Sequence, residues 1–252
     1  MNKKKSKNKK QDKQSEKPIP QKKEEEQIED IDRYVQNPEY RMRCKAAIDI
    51  LQAKLKMINS ELSRQKNRSV ISQITSRIKS AESIYIKLLR KKLEPDFDTA
   101  KKNLKDLIGI RVVCPFEDEI YEVVELLKLQ KDIEILKIKD YIKNPKKNGY
   151  RSLHLIVQVP IYSADGPQKE LVEIQLRPLA MDYWSVLEYQ LYYKKSENEK
   201  VAAELKEYHL CTAWISKIEI QAVIKKNILT IKETQVIIPY IKIFVQRADN
   251  GV

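Results

Sequence analysis

The sequence predicts an α/β (α+β) fold, in which a mixed sheet of about five strands has helices before and after it. Apolar residues recur at helical spacing over residues 38–66. From residue 107 onward the pattern changes to short apolar runs and to segments that alternate with period two, both typical of strands. Two alternating segments, residues 150–155 and 172–177, each have a face too polar for a hydrophobic core.

A tail and a group of helices are predicted before the sheet. Residues 1–30 are mostly Lys, Gln, Glu, Ser and Pro with almost no apolar residues, which predicts a disordered tail. Residues 38–66 and about 70–92 are predicted as helices. A short third helix is predicted to reach Leu104, with Asp98 as its N-cap.

The sheet and further helices follow along the chain. The predicted elements are a buried strand at 107–114, an amphipathic helix at 117–130, a strand at 132–142, the two alternating strands joined by a turn at 163–168, and helices from about 179 to 226. We expect one domain over residues 31–225. Residues 226–252 have no clear pattern and stay unassigned.

Composition indicates a globular protein with a charged exterior. Hydrophobic residues make up 42% of the chain and charged residues 34%, and the net charge is +13. Residues 1–23 contain ten lysines against Asp12 and Glu16, so most of this charge belongs to the tail. The tail could therefore make a weak, salt-sensitive contact with RNA.

Cysteine and histidine are too few for a disulfide framework or a zinc site. The three cysteines form no CxxC pair, and the only histidines are His154 and His209. The N-terminal lysines are not followed by the apolar run of a secretory signal. The longest apolar stretch, residues 236–245, is too short to span a bilayer. The sequence thus predicts a cytoplasmic protein without membrane contact.

Cations and hydroxyl groups cluster in the second predicted helix. Lys79, Ser83 and Lys87 are four residues apart and would share one helix face, with Arg77 at the same end. Such groups suit the oxygens of a polyphosphate. The same spacing also fits a solvated helix face, so this pattern indicates a site only together with the residues that follow.

Two carboxylates stand where they could hold a hard cation. Asp106 comes at the start of the strand 107–114, and Glu173 lies on the polar face of a later strand. Mg²⁺ typically takes one or two protein carboxylates and completes its shell with substrate phosphates and water. Arg111, inside an apolar strand, needs a partner such as a nucleobase or a phosphate, and Gly109 would let a ligand approach.

The segment between the predicted strands combines basic and aromatic residues. Tyr150 follows a lysine-rich loop, which offers charge for phosphates and a ring for a base. A lysine-rich surface turn would also explain the loop alone. It would not explain why His154, Gln175 and Arg177 share polar faces on neighbouring strands. This mixture indicates a pocket for a planar, anionic ligand such as a nucleotide.

Five motifs in sequence order resemble the synthetase domain of the RelA/SpoT family. They are SRIK, DLIGIRVV, DYIKNPKKNGYRSLH, VEIQLR and AMDYWSVLEYQLYYK, and the match covers roughly residues 70–195. Within the family the chain resembles the single-domain small alarmone synthetases, the RelP type more than the RelQ type. The resemblance implies a nucleotidyltransferase-like fold. It also implies transfer of pyrophosphate from ATP to the 3′-hydroxyl of GDP or GTP, giving ppGpp or pppGpp and AMP, with Mg²⁺.

The resemblance implies roles on the ATP side of the site. Arg77 and Arg111 would sandwich the adenine. Asp106 would bind Mg²⁺, with Glu173 as a second acidic group and as the base toward the 3′-hydroxyl. The residues that would hold the ATP phosphates are Lys79, Ser83 and Lys87.

The resemblance also implies roles on the guanine side. Tyr150 would stack on the guanine. The other residues that would line or shape this side are Lys146, Asn148, His154, Gln175, Arg177 and Glu188. Three positions, Ala81, Pro178 and Tyr189, depart from the residues that are common in the family.

Three further expectations concern activity and assembly. The sequence leaves open a catalytically weak binder of nucleotide or RNA, and a nucleotidyltransferase with another acceptor, but the pair Asp106 and Glu173 favours catalysis. No histidine-rich hydrolase segment precedes residue 70, so we expect synthesis without degradation. The resemblance implies a homotetramer, and apolar surface left over on the helices at 38–66 and 199–225 would favour self-association.

Overall fold

The computed structural model describes residues 21–146, 149–164 and 166–194, with side chains except at residue 21 and residues 187–194. This part of the chain forms six helices and five strands. They are α1 (Gln21–Val35), α2 (Pro38–Lys66), β1 (Gln73–Ile78), α3 (Ala81–Arg90), α4 (Phe97–Asn103), β2 (Ile108–Cys114), α5 (Glu117–Lys128), β3 (Glu134–Asp140), β4 (Leu153–Ser163), β5 (Gly166–Pro178) and α6 (Leu179–Lys194).

The five strands form one mixed sheet in the order β1-β2-β5-β4-β3. Strands β2 and β5 are parallel, whereas every other neighbouring pair is antiparallel. Strands β4 and β5 form a long hairpin, and α5 carries the chain from β2 to the edge strand β3. The predicted mixed sheet of about five strands is therefore confirmed.

The hydrophobic core lies between one face of the sheet and the helices α2 and α5. Alternate residues of β2 and β5 point into it, among them Ile110, Val112 and Ile174. Helix α2 adds a buried stripe at helical spacing, formed by Leu51, Leu55, Ile58 and Leu62. The expectation that α2 keeps this apolar surface for self-association is wrong, because packing against the rest of the core already covers the stripe.

The helix predicted at about 70–92 is divided in the structure. Its first part is β1, which pairs antiparallel with β2, and only α3 is helical. Ser80 separates them, because its side chain accepts a hydrogen bond from the backbone N–H of Ser83 at 3.4 Å and caps α3. Strand β1 lies at the edge of the sheet with mostly exposed side chains, so it has too few apolar residues to show a clear strand pattern.

The N-terminal tail is shorter than the sequence predicts. Residues 21–30, expected to be disordered, belong to α1. This helix packs against α3 and α4, and its residue Ile31 is fully buried. Tyr34 adds a stacked contact with Phe97, with ring centroids 5.3 Å apart. Contact with other helices, which residue composition does not reveal, explains the difference. Residues 1–20 lie outside the described part.

Two local boundaries also differ from prediction. The strand predicted from residue 150 begins at Leu153, so Tyr150 lies in the preceding loop. Helix α4 is capped by Asp96 rather than by Asp98, because the Asp96 side chain accepts a hydrogen bond from the backbone N–H of Thr99 at 2.8 Å.

The C-terminal predictions can be compared with the structure only as far as residue 194. Helix α6 begins at the predicted position, and its expected continuation to residue 226 and the segment 226–252 lie outside the described residues. In the part of the chain that the structure describes, none of the helices has the length and apolar character needed to cross a membrane.

Candidate active site

The face of the sheet opposite the hydrophobic core carries polar side chains. The strand register places Arg77, Gly109 and Glu173 side by side across β1, β2 and β5. The next row on the same face, two residues further along, crosses four strands. It consists of Thr75, Arg111, Gln175 and His154. Both rows contribute to a solvent-open pocket, which Asp106 also lines.

Asp106 lines this pocket just before β2 and forms ion pairs with two lysines. Lys79 Nζ lies 2.8 Å and Lys87 Nζ 2.5 Å from Asp106 Oδ2. Burial raises the pKa of Asp106, but the hydrogen bonds from Lys79 and Lys87 outweigh it and lower the pKa below its usual value. The aspartate is therefore ionised at neutral pH. The structure brings these residues together from the end of β1, from α3 and from the start of β2.

The second oxygen of Asp106 makes the residue a suitable ligand for a metal ion. Oδ1 is buried and has no hydrogen-bond partner, and Asp106 lines the same pocket as Glu173. Among the residues that the structure describes, no three His, Cys, Asp or Glu side chains are grouped as a complete metal site. Mg²⁺ fits this arrangement, because it needs only one or two carboxylates when substrate phosphates complete its shell.

Glu173 is held by two neighbours on the polar face. Gln175 Nε2 donates to Glu173 Oε2 at 2.7 Å, and His154 Nδ1 lies 3.4 Å from Glu173 Oε1. Burial raises the pKa of Glu173, yet the interactions with His154 and Gln175 outweigh burial and lower the pKa. Glu173 is therefore an ionised carboxylate in a fixed orientation, as a general base requires.

Arg77 and Arg111 project from the same face of neighbouring strands, one row apart. The side chain of Arg77 lies over Gly109, where a Cβ would be 3.7 Å from Arg77 Cγ. Burial lowers the pKa of Arg111, and the nearby guanidinium groups of Arg177 and Arg77 lower it further. Three arginines thus share one face, so an anionic or aromatic ligand would be favourable there.

Tyr150 is not the exposed aromatic residue that the sequence suggests. It is only 7% exposed and packs with Met181 and Trp184. Lys146 Nζ lies 4.9 Å from the centre of its ring, and the guanidinium carbon of Arg177 lies 5.4 Å away. Helix α6 covers the ring, which sequence alone could not indicate. Both cations lie over the ring, so a base could stack on Tyr150 only after one of them has moved.

The loop between β3 and β4 is fixed by an acidic residue at its start. Asp140 Oδ1 accepts hydrogen bonds from the backbone N–H groups of Ile142 and Lys143, at 3.0 and 2.9 Å. Its Oδ2 accepts a hydrogen bond from the hydroxyl of Tyr121 on α5 at 3.0 Å. Further along the loop, the backbone N–H of Lys146 donates to the carbonyl oxygen of Tyr150 at 3.2 Å. These contacts hold Lys146 close to Tyr150.

The remaining predicted site residues have different outcomes. Ser83 is exposed in the first turn of α3, with its hydroxyl 3.1 Å from that of Ser80. Asn148 lies outside the described residues. Glu188 belongs to α6, but its side chain is not described. Whether these three contact a ligand stays a prediction.

Sequence reasoning missed Asp182 and Ser185 on α6. Asp182 Oδ1 lies 3.3 Å from Arg111 Nη1 and 3.2 Å from Arg177 Nη1. Ser185 Oγ accepts a hydrogen bond from Arg177 Nη1 at 2.6 Å. One signal for Asp182 was available in the sequence. It is an acidic residue in the first turn of a predicted helix, and that helix directly follows a strand that ends close to Arg177.

Comparisons with known proteins agree with this geometry. A family described as a region found in RelA / SpoT proteins matches residues 76–198. GTP pyrophosphokinase YwaC of Bacillus subtilis is 41% identical over 165 residues, which are 65% of this chain and 79% of that protein.

Two solved structures of small alarmone synthetase 1 from Bacillus subtilis are also similar. One, bound to its product pppGpp, is 34% identical with a TM-score of 0.64, covering 72% of this chain and 94% of that chain. The other, bound to AMPCPP, is 30% identical with a TM-score of 0.61, covering 73% of this chain and 93% of that chain.

Proposed function

The chain belongs to the RelA/SpoT family, and on that basis we propose that it is a GTP pyrophosphokinase of the small alarmone synthetase type. It transfers pyrophosphate from ATP to the 3′-hydroxyl of GDP or GTP, forming ppGpp or pppGpp and releasing AMP. The observation that carries this proposal is the placement of Asp106 and Glu173 in one pocket with cations from β1, α3 and β2.

The ATP side of the pocket is assigned to the basic residues near Asp106. Lys79, Lys87 and the hydroxyl of Ser83 suit the phosphates, because ammonium groups compensate phosphate charge and a hydroxyl adds a donor. Arg77, whose side chain lies over Gly109, and Arg111, one row further along the same face, are assigned to the two faces of the adenine ring. Binding of ATP would offer Lys79 and Lys87 phosphate oxygens in addition to Asp106.

The acceptor side is assigned to the residues around Glu173. This ionised carboxylate accepts the proton of the 3′-hydroxyl as the hydroxyl oxygen attacks the β-phosphorus of ATP. The bond between the β-phosphorus and the oxygen that bridges to the α-phosphate then breaks, and AMP leaves with that oxygen. His154 and Gln175 hold Glu173 in the orientation that this proton transfer needs.

Mg²⁺ is proposed as the cofactor, held by Asp106 with Glu173 close by. Bound Mg²⁺ would compensate the negative charge that develops on the transferred phosphates. The buried and unpaired Oδ1 of Asp106 supports the assignment.

The guanine nucleotide is assigned to the region where the loop after β3 meets α6. Tyr150 provides the ring for the base, and Lys146 and Arg177 provide positive charge beside it. Asn148 and Glu188 are assigned to the same side by resemblance alone.

Assembly and location extend the proposal. We assign the protein to the cytoplasm and to a homotetramer. Helix α6 carries three exposed apolar residues at helical spacing, Leu179, Tyr183 and Val186, and these support self-association. Light scattering that gave a monomer mass at micromolar concentration would contradict the tetramer. RNA contact through the basic tail is proposed as a weak, salt-sensitive interaction.

The test of function is a product assay with the full chain. Purified protein is incubated with labelled ATP, Mg²⁺ and either GTP or GDP, and the nucleotides are separated by chromatography. We expect pppGpp or ppGpp together with equimolar AMP. The matched control is Glu173→Gln, which keeps the side-chain shape. A labelled product from another acceptor would indicate a different nucleotidyltransferase, and binding of both nucleotides without product would indicate a non-catalytic binder.

A further inference from the structure

Asp182 lies between two arginines that belong to different strands. Its Oδ1 is 3.3 Å from Nη1 of Arg111 on β2 and 3.2 Å from Nη1 of Arg177 on β5. The carboxylate is largely buried, with 15% of its side chain exposed. The reaction described above gives Asp182 no part, although it contacts one arginine on the ATP side and one on the guanine side.

The two arginines need such a partner. They project from the same face of parallel neighbouring strands, two residues apart in register, so their positive charges repel each other. A carboxylate in contact with both arginines compensates this repulsion, and it comes from α6 rather than from the sheet itself.

The contact involves only one edge atom, Nη1, of each guanidinium group. A guanidinium donates hydrogen bonds from its edge and stacks through its face. Asp182 contacts the two groups at their Nη1 atoms. The guanidinium of Arg177 lies over the ring of Tyr150, with 5.4 Å between its central carbon and the ring centre. Arg111 is held in the same way at Nη1 and keeps 36% of its side chain exposed, as contact with a planar base requires.

A chain of hydrogen bonds extends from Arg177, a partner of Asp182, to Glu173, the proposed general base. Arg177 Nη2 donates to Gln175 Oε1 at 2.8 Å, and Gln175 Nε2 donates to Glu173 Oε2 at 2.7 Å. Ser185 accepts from Arg177 Nη1 at 2.6 Å and donates to the carbonyl oxygen of Asp182 at 2.9 Å. Asp182 thus stands at the end of a network that also orients Glu173.

We propose that Asp182 is a positioning residue for pyrophosphate transfer, which fixes the plane of Arg111 for the ATP base and fixes Arg177 beside the guanine site. This inference rests on the proposed function. A first-turn aspartate also stabilises its own helix through the helix dipole. That purely structural role predicts a loss of folded protein, whereas a positioning role predicts weaker substrate binding by fully folded protein.

The experiment compares Asp182→Asn and Asp182→Ala with Asp118→Asn in the full chain. Asp118 is a matched control, because it is an exposed first-turn aspartate of α5, which follows the parallel neighbour β2. Melting temperature, kcat and the KM for ATP and for GTP are measured. For Asp182→Asn we expect the KM for ATP to rise on the order of 10-fold, the loss expected for a hydrogen bond between charged groups. The control should match the wild type.

A double variant separates positioning from a general effect. In an Arg111→Ala background, Asp182→Asn should have little further effect on the KM for ATP, because the group that it orients is absent. An unchanged KM in Asp182→Asn, or an equal rise with and without Arg111, would overturn the inference.

Binding distinguishes this inference from the proposed function. If the wild type forms no alarmone, the proposed function fails. Calorimetric titration with a non-hydrolysable ATP analogue still tests Asp182, because weaker binding by Asp182→Asn than by Asp118→Asn is expected whether or not product forms. Equal binding by the two variants would overturn the inference alone.

Discussion

Lys79 Nζ and Asp106 Oδ2 lie 2.8 Å apart, with 11% and 12% of their side chains exposed. The pair joins the segment after β1 to the segment before β2, where the backbone N–H of Lys79 also donates to the carbonyl oxygen of Leu107 at 2.8 Å. A proposed phosphate-binding residue and a proposed metal ligand are thus neutralised by each other. Changes at either residue will affect stability as well as catalysis.

Asp106→Asn should reduce both activity and stability at neutral pH. The change leaves Lys79 and Lys87 close together without the negative charge that they share, which should cost about 1–3 kcal/mol in the free energy of unfolding. The pKa of Asp106 is lower in the folded protein than the usual value of about 3.9 in an unfolded chain. Its stabilising contribution is therefore complete above that value and is lost as pH falls through the folded pKa.

Urea denaturation at pH 7 and at successively lower pH measures this effect. The difference between wild type and Asp106→Asn should be largest at pH 7 and should decrease in acid, whereas Asp118→Asn should show little difference throughout. A stability difference that grew in acid would mean that the lysines do not lower the pKa of Asp106.

Glu173→Gln should abolish most turnover without unfolding the protein. Loss of a general base typically lowers kcat by about 10²–10⁴-fold. Gln keeps the shape of the side chain, so the melting temperature and the KM for ATP should change little. Glu134→Gln on β3 is the control, since Glu134 is exposed. A Glu173→Gln variant with nearly normal kcat would assign the proton transfer to another group.

The pH profile of the wild type follows from the same residue. Because the pKa of Glu173 is lowered below the usual glutamate value of about 4.3, the carboxylate is fully ionised at about pH 6 and above. The rate should therefore show no acid limb due to Glu173 between about pH 6 and 8. Measurement of kcat/KM for GTP across this range at saturating ATP checks the expectation. An acid limb that is absent from Glu173→Gln would contradict it.

Changes at Tyr150 should separate stacking from packing. Tyr150→Phe keeps the ring against Met181 and Trp184, so both KM values should stay close to those of the wild type. Tyr150→Ala should raise the KM for GTP more than that for ATP, because stacking is worth about 1–3 kcal/mol per base. It should also destabilise the protein by about 3–5 kcal/mol, because a buried ring is lost. A larger rise in the KM for ATP would reverse the assignment of the two pockets.

Two N-terminal deletions should behave differently. Removal of residues 1–20 should leave turnover intact, while any RNA binding becomes weaker. Removal of residues 1–30 also takes away most of α1, which packs against α3, the helix that carries Ser83 and Lys87. This longer deletion should lower the melting temperature and kcat together. Equal melting temperatures for the two deletions would show that residues 21–30 do not stabilise α3.

Local pattern predicted the elements that bury a regular apolar face. Helix α2, strand β2 and helix α5 lie close to their predicted positions, because residues in contact with a core repeat with the period of their own backbone. The edge strand β1 was assigned to a helix, and α1 to a disordered tail. Both depend on partners that are distant in sequence, β2 for the first and α3 for the second.

The sequence by itself determined which chemical groups are available to the candidate site, because the residue types and the order of the motifs reside in the chain. It predicted Asp106, Glu173 and the cations near them as site residues. Only the tertiary structure decided which of these groups meet. It paired Asp106 with Lys79 and Lys87, covered Tyr150 with α6, and placed Asp182 between Arg111 and Arg177. Ion pairs and burial depend on distances of a few ångströms between segments far apart in sequence, and sheet register and helix packing set those distances.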